Sequence, residues 1–479
     1  MSEVLGVFGL GRSGLGVARA EIGRGRPVHV FDEGDPATIS KQEVVEEARR
    51  LDIPVTFLWN GDLPPEVRVL VVNPAVRRTH PFLLKALEAG VQVISEIEYA
   101  YRISKAPIVA LTGTNGKSTT TVMTYQCLRQ CGKDAVLCGN IFGSGYPEVP
   151  LTEAAAASNP NQVLVAEISS FQLEWIVDFH PIVAGITNIW PDHLDRYDSF
   201  ADYAATKHRL FMNLAPGDYV VVKANDPVVK APGTGLGEYV PRGRRRSGPA
   251  EQPKGLPTVL TFGAMGQHGQ VEERELALLD KRVSIERLPF HEPHNYQNAA
   301  MAGLLAWAAL RHLGETGEGM PDCIVEGLLG FKGLAHRMEF LGRRDGIRVY
   351  NNSMCTNPDA VMKSVQSVKD PTHILMGGVN KNVDFRPLRH YLANHRHHVY
   401  LYGADASALN EMMGGTWPVY SSMQDAFWAS TKVARSGDVI MLAPGCASTD
   451  SFRDFRERGD VFRVMAKEWL NNESELTIR

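Results

Sequence analysis

The chain has 479 residues, 44% hydrophobic and 22% charged, with a net charge of −4. These proportions predict a globular protein of two to four domains and remove any bulk electrostatic basis for binding nucleic acid. No apolar stretch approaches the ~18 residues of a spanning helix, and the amino terminus runs into an apolar strand pattern with no basic leader, so a cytoplasmic protein without membrane insertion is expected.

Residues 1–105 alternate short apolar runs with helical patterns. Val4–Phe8, Val28–Phe31, Val67–Val72 and Val91–Ile94 read as strands, and Arg12–Gly23, Gln42–Arg50 and Pro81–Ala89 as helices. That alternation predicts an α/β unit on a mostly parallel sheet. Gly9, Gly11 and Gly14 follow the first strand, and Asp32 ends the next. Alone, this is the dinucleotide fingerprint. The same turn accepts any diphosphate at a helix start, and it also occurs as a structural turn.

A second region, 106–333, opens on Pro107–Thr121, P-I-V-A-L-T-G-T-N-G-K-S-T-T-T. Ile108–Leu111 reads as a buried strand, and Lys117, Ser118 and Thr119 open a helix. Gly113 and Gly116 let backbone N–H groups converge on an anion, the helix start adds its dipole, and Lys117 adds a point charge. Ser118 is placed to hold Mg²⁺. The loop, with Thr114 and Asn115, reads as a shortened triphosphate cradle, because Thr112 stands where the full pattern has glycine.

Strand Val163–Ile168 carries Glu167 near its carboxyl end, where an acid can hold a metal. Strand Ile182–Asn188 leads into Asn188-Ile-Trp-Pro-Asp192-His193-Leu-Asp195-Arg-Tyr197, with His193 a candidate for metal or substrate. Helix Phe200–Asn213 carries Lys207, which chemistry alone reads as a surface lysine; strand Tyr219–Lys223 follows. Ala231–Pro257, with Arg242, Arg244, Arg245 and Arg246, reads as an exposed, mobile insertion. Asn295 and Asn298 share one face of helix Asn295–His312, as adenine partners or as caps.

The third region, 334–479, has strands at Ile347–Tyr350, His373–Met376, His398–Tyr402 and Asp438–Leu442 and a last helix at Asp454–Asn471. His336-Arg337-Met-Glu339, Asn351–Asn357, Gly377–Lys381 and Ala443–Ser448 lie at the strands' carboxyl ends or beside them, the side on which open α/β sheets bind ligands. His395, His397 and His398 read as a surface loop before a strand. The six cysteines contain no C-x-x-C pair, and all six are expected to be reduced.

This ordered set resembles the Mur ligase family of peptidoglycan synthesis over nearly the whole chain. The motifs are Thr112–Thr119, E-I-S-S-F-Q-L-E at Glu167–Glu174, D-H-L-D-R-Y at Asp192–Tyr197, Y-A-A-T-K at Tyr203–Lys207, H-N-Y-Q-N-A at His294–Ala299, H-R-M-E at His336–Glu339 and A-P-G-C-A-S-x-D-x-F-x-x-F at Ala443–Phe455. Within the family, it is most similar to the members that add glutamate to UDP-N-acetylmuramoyl-L-alanine. The resemblance implies an α/β protein of three domains: a Rossmann-like UDP-sugar domain (1–105), a central ATP-binding domain (106–333) and a Rossmann-like amino-acid domain (334–479). It implies an ATP-dependent amide ligase working through an acyl phosphate, D-glutamate favoured over L-glutamate, with two Mg²⁺ ions and a monomeric state. The competing NAD-dependent oxidoreductase leaves the phosphate loop unused.

By the same resemblance, Arg12, Ser13, Asp32, Asn73, Asn140 and His193 bind the UDP substrate. Gly113, Thr114, Asn115, Gly116, Lys117, Ser118, Thr119, Asn295, Asn298, Arg337 and Asn352 bind ATP. Thr356, Lys381, Ser448 and Phe455 hold the incoming glutamate. Ser118, Glu167, His193 and Lys207 bind metal, Lys207 as a carbamate, and Lys117, Glu167, His193 and Lys207 form the catalytic set. Two segments depart from the family pattern. N-N-S-M-C-T-N at Asn351–Asn357 replaces N-D-S-K-A-T-N, so Asn352 stands for an acid and Met354 for a lysine. The stretch after Asn140, Ile-Phe-Gly-Ser-Gly-Tyr-Pro-Glu, is longer than the pattern.

Overall fold

The computed structural model describes residues 3–37, 42–230, 255–263, 268–290, 292–317, 319–368, 370–381, 383–393 and 396–471. The arginine-rich stretch expected as a mobile insertion lies outside the described residues up to residue 254, as does His395. His397 and His398, expected in a loop, are the first residues of a strand. The chain divides into two compact units, Met1–Ile141 with Pro147–Phe331, and Phe142–Tyr146 with Lys332–Arg479. Among the described residues, the strands form three sheets, two in the first unit and one in the second.

The first sheet contains β1 (Val4–Phe8), β2 (Val28–Phe31), β3 (Val55–Thr56), β4 (Val67–Val72) and β5 (Gln92–Ser95), in the order β3-β2-β1-β4-β5. All its pairings are parallel. Apolar runs such as V-R-V-L-V-V suit strands buried on both faces. The helices Arg12–Gly23, Gln42–Arg50 and Pro81–Glu88 lie within a residue of their expected bounds.

The second sheet has β6 (Ile108–Thr112), β7 (Asp134–Gly139), β8 (Gln162–Glu167), β9 (Val183–Ile186), β10 (Tyr219–Lys223), β11 (Thr258–Gly263), β12 (Gly269–Val271), β13 (Glu275–Leu278) and β14 (Lys281–Ser284). Their order is β14-β13-β12-β11-β10-β9-β6-β8-β7. Only the last two hairpin pairings, β12–β13 and β13–β14, are antiparallel. Register decides where chemistry can occur. Leu111 lies beside Glu167, Thr112 beside Ile186, and Gly139 beside Glu167. The loops after β6, β7, β8 and β9 therefore leave one edge of the sheet together.

Helix Glu96–Ile103 joins the two sheets through buried acids. Ser95 caps it by accepting Glu98 N–H. Glu98 is fully buried and accepts the N–H groups of Val177, Asp178 and Phe179 at 2.7–3.1 Å. Glu96 accepts Thr152 N–H at 2.8 Å, Thr152 Oγ1–H at 2.6 Å and Gln172 Nε2–H at 3.3 Å. Burial pushes the Glu96 carboxyl above the ordinary range, against the downward pull of those donors.

In the second unit, β15 (Glu339–Arg344), β16 (Ile347–Asn351), β17 (Thr372–Gly377), β18 (His397–Tyr402), β19 (Val419–Tyr420) and β20 (Val439–Gly445) order as β15-β16-β20-β17-β18-β19. β15 is antiparallel to its neighbour and the rest are parallel. Alternation splits each strand between two cores: Ile374, Met376 and Met441 face one, Leu375, Ile440 and Leu442 the other. Among the described residues no helix is long and apolar enough to cross a membrane.

The expectation of six reduced cysteines fails at one pair. Cys131 and Cys323, 192 positions apart, form a disulfide with a Cα–Cα distance of 5.0 Å. Helix Lys117–Gln130 packs so closely on helix Asp322–Leu329 that a Cβ on Gly327 would lie 2.6 Å from Cys127 Cα. That contact brings Cys131, which caps the first helix, to Cys323 on the second; no local spacing could signal it. Denatured without reductant, the protein is expected to titrate four thiols with a chromogenic disulfide, and six after reduction. Six thiols before reduction would show the bond absent.

Candidate active site

The phosphate loop is held open by the segment that follows β9. Thr114 N–H donates to Asn188 O at 2.9 Å, and Asn115 N–H to Asn188 Oδ1 at 3.0 Å. Asn188 Nδ2 and Thr187 Oγ1 donate to Asn115 O at 3.0 and 2.7 Å. Trp190 N–H donates to Thr114 Oγ1 at 3.0 Å. Two glycines are demanded by contact: a Cβ on Gly113 would lie 1.9 Å from Thr187 Oγ1, and one on Gly116, at φ +80°, 2.5 Å from Asn298 Oδ1. Gly116 then caps helix Lys117–Gln130, whose first N–H groups are the orphan donors of a helix start. Lys117 Nζ donates to Thr114 O at 3.0 Å across the same loop.

Glu167, Asn140, Lys207 and Ser118 gather beneath that loop. Glu167 is buried; its Oε1 accepts Asn140 Nδ2–H at 3.2 Å, and its Oε2 has no hydrogen-bond partner among the described residues. Lys207 is also buried, and its Nζ donates to Gly113 O at 2.8 Å and Thr112 Oγ1 at 3.4 Å. Its ammonium lies 4.8 Å from the Tyr203 ring centre. Burial first, and then the positive charge of Lys117, push the Lys207 pKa well below the ordinary lysine value, against Asp192 and Glu167.

His193 sits at φ +53° on the neighbouring loop, its ring 4.8 Å from Phe171 and 6.2 Å from Tyr203. Arg196, a residue with no expected role, fixes that arrangement. Its guanidinium lies 4.1 Å over Phe171, is bidentate to Glu174 at 2.9 and 2.8 Å, and donates to Val76 O at 2.9 Å. The His193 loop is thereby tied to the loop that carries Asn73.

Around the first glycine turn, Asp32 is already engaged: Oδ2 accepts Leu10 N–H at 2.6 Å and Oδ1 accepts Gly34 N–H at 2.8 Å. Asn73 Nδ2 crowds Gly11, where a Cβ would lie 2.6 Å away. Arg12 pairs with Glu148 at 3.2 Å, and Ser13 is half-buried beside it. On helix Pro293–His312, Asn298 Nδ2 donates to Asn295 Oδ1 at 3.0 Å, so Asn298 turns its oxygen toward Gly116.

Six of the expected site residues lie in the second unit. Asn352 is buried, donating to Ser364 Oγ at 2.7 Å and accepting Met338 N–H at 3.1 Å. Arg337 Nη2 lies 3.1 Å from Met354 Sδ. Thr356, Lys381 and Ser448 follow β16, β17 and β20, and Phe455 opens the last helix. Arg458, which the sequence reading passed over, is fully buried among them. It donates to Ser353 Oγ at 3.0 Å, Ser353 O at 2.9 Å and Cys446 O at 3.2 Å, joining the loops after β16 and β20. The signal was its place four residues before buried Phe462, on the apolar stripe of that helix.

Residues 111–235 match the Mur ligase middle domain, and residues 336–446 the Mur ligase glutamate ligase domain. A UDP-N-acetylmuramoylalanine–D-glutamate ligase of Caldanaerobacter subterraneus subsp. tengcongensis is 35% identical over 468 residues, 95% of this chain and 96% of that one. One so named from Pelotomaculum thermopropionicum is 35% identical over 462 residues, with the same coverage. The chain belongs to the Mur ligase family. The fold agrees: the UDP-N-acetylmuramate–alanine ligase of Thermotoga maritima superposes with a TM-score of 0.53 at 19% identity, covering 98% of this chain and 100% of that one.

In this Mur ligase, the chemistry of the buried donors fits a divalent cation. Glu167 brings an unpartnered buried carboxylate oxygen, and Ser118 a buried hydroxyl at the head of the phosphate helix. Lys207 does not fit as an ammonium, and burial favours its neutral amine. Because its folded pKa lies below the unfolded value of about 10.4, its burial penalty is complete below the folded pKa and fades as pH rises toward the unfolded one. In CO₂-free buffer, the wild type is therefore expected to gain Tm relative to Lys207→Met as pH climbs through that window, while the variant loses turnover. A Tm difference that stays constant across that window would contradict the depressed pKa.

Proposed function

We propose that this Mur ligase adds D-glutamate to the alanine carboxyl of UDP-N-acetylmuramoyl-L-alanine at the expense of ATP, in peptidoglycan precursor synthesis. One observation carries the chemistry: an open anion cradle, Lys117 and a buried carboxylate with an unpartnered oxygen meet at one sheet edge. The two relatives above, matched over nearly their whole length, supply the identity of the substrates.

Arg12, Ser13, Asp32 and Asn73 receive the UDP end, and Asn140 and His193 the muramoyl-alanine end. The cradle Gly113–Thr119, with Asn295 and Asn298, takes ATP, and Arg337 and Asn352 belong to the same nucleotide-binding set. The alanine carboxylate oxygen attacks the γ-phosphorus and ADP leaves, giving an acyl phosphate. Lys117 balances charge that spreads over the phosphoryl oxygens. Thr356, Lys381, Ser448 and Phe455 present the glutamate amine to the acyl carbon. The C–N bond forms, the amine gives up a proton, and phosphate departs from the tetrahedral adduct. With no protein nucleophile in the sequence of steps, rate comes from positioning and electrostatics. Ser118, Glu167, His193 and carbamylated Lys207 would hold Mg²⁺, as two ions, which would supply further neutralisation of the phosphate oxygens. The same reading takes the protein as a cytoplasmic monomer.

Met354 raises L-glutamate as the acceptor, because it removes a cation. The Arg337 guanidinium beside its sulfur keeps positive charge in that neighbourhood, and the D configuration rests on the names of the two relatives. An oxidoreductase reading leaves the phosphate loop and Glu167 without a role.

Phosphate release with ATP, Mg²⁺ and UDP-N-acetylmuramoyl-L-alanine is expected to be stimulated by D-glutamate, and not by L-glutamate or without acceptor. Lys117→Ala is expected to abolish turnover while leaving UDP-substrate binding by calorimetry intact. Stimulation by L-glutamate alone would reassign the acceptor, and normal turnover of Lys117→Ala would remove the phosphate-loop assignment.

A further inference from the structure

Phe142–Tyr146 belongs to the second unit although the chain on either side belongs to the first. It begins two residues after Asn140, whose side chain holds Glu167. Within the second unit the segment is fixed at both ends. Ser144 is buried, and its carbonyl accepts Ala335 N–H at 2.9 Å. Gly145, at φ +79°, approaches Ala335 so closely that a Cβ would lie 2.9 Å from the alanine Cβ. Gly143, at φ +61°, is pressed on Phe455: a Cβ there would lie 2.4 Å from Phe455 Cζ.

The neighbouring ring completes the contact. Phe142 lies 5.7 Å from Phe455 at 60°, and the Arg456 guanidinium lies 4.5 Å from the Phe142 ring centre. On another side, Phe455 meets His336 edge-on at 6.2 Å. Phe455 is thus held between Phe142, Gly143 and His336. Glycine is required at 143 twice over, by the left-handed backbone and by the absence of room.

We propose that Phe142–Tyr146 is a wall of the amino-acid site, and that Phe142 and Gly143 are positioning residues that set glutamate affinity through Phe455. The inference rests on the reading of Phe455 as a glutamate-site residue. A ring free to rotate about χ1 presents a variable surface to the methylenes of the amino acid, and one wedged by a second ring and a close backbone presents a single surface.

Steady-state phosphate release on the full-length enzyme tests this. Phe142→Ala is expected to raise the KM for D-glutamate about tenfold, the effect of losing one aromatic pair, while the KM values for ATP and UDP-N-acetylmuramoyl-L-alanine stay unchanged. Phe142→Tyr is expected to restore it. An unchanged glutamate KM, or a parallel rise in all three constants, would overturn the proposal. Phe455→Ala separates the two layers. If it leaves the glutamate KM unchanged, the reading of Phe455 falls and the wall with it; if it raises that KM and Phe142→Ala does not, the wall alone falls. Should Phe142→Ala unfold near the assay temperature, Phe142→Leu gives the same reading with the apolar volume kept.

Discussion

The phosphate loop works only if its backbone stays turned toward an absent anion, and the strap Thr187–Trp190 makes that possible. A loop of small polar residues would otherwise satisfy its own N–H and C=O groups by folding inward. Here Asn188 takes two N–H groups of the loop and, with Thr187, its Asn115 carbonyl. The helix start is left as the donor surface. The strap exists because β9 lies beside β6 in parallel register, so the two strand ends arrive together. The sheet order thus sets the geometry of the cradle, and the glycines at 113 and 116 are consequences of how near the strap and Asn298 come.

Beneath the cradle, charge is arranged against its own comfort. Lys207 and Lys117 share a small region with Glu167, and burial beside that second cation pushes the Lys207 pKa down. Glu167 has one carboxylate oxygen with no hydrogen-bond partner among the described residues. Each feature alone is unfavourable, and both lie at the strand ends around the phosphate loop.

The sequence made the frame legible where signals were local. Runs such as Ile108–Leu111 and Val67–Val72 fixed the strands, and the glycine spacing fixed both loops. Boundaries moved where a helix end tightened, as after His208, where a 3₁₀ turn follows over Arg209–Phe211. The unread features are those whose partners lie far along the chain. Cys131 and Cys323 are joined only by helix packing, and Arg196 acquires meaning from Glu174, Phe171 and Val76 together. Asp32 reads as a ligand acid by spacing, and the spacing does not show that it also accepts the N–H groups of Leu10 and Gly34.

The acids Glu96 and Glu98 show why such features are polar at all. An apolar contact between the first two sheets would stabilise the joint without fixing its angle, because dispersion and burial are nearly non-directional. Glu98 instead accepts three successive N–H groups, and Glu96 holds Gln172, whose amide oxygen accepts Ser169 N–H at 2.9 Å, two residues beyond Glu167. Replacing either acid with a hydrocarbon would strand those donors in the interior. The joint therefore has one satisfied orientation, and that orientation runs through a short chain of hydrogen bonds to the strand end carrying Glu167. The placement of the catalytic edge is thus written in residues between the two sheets, outside every motif.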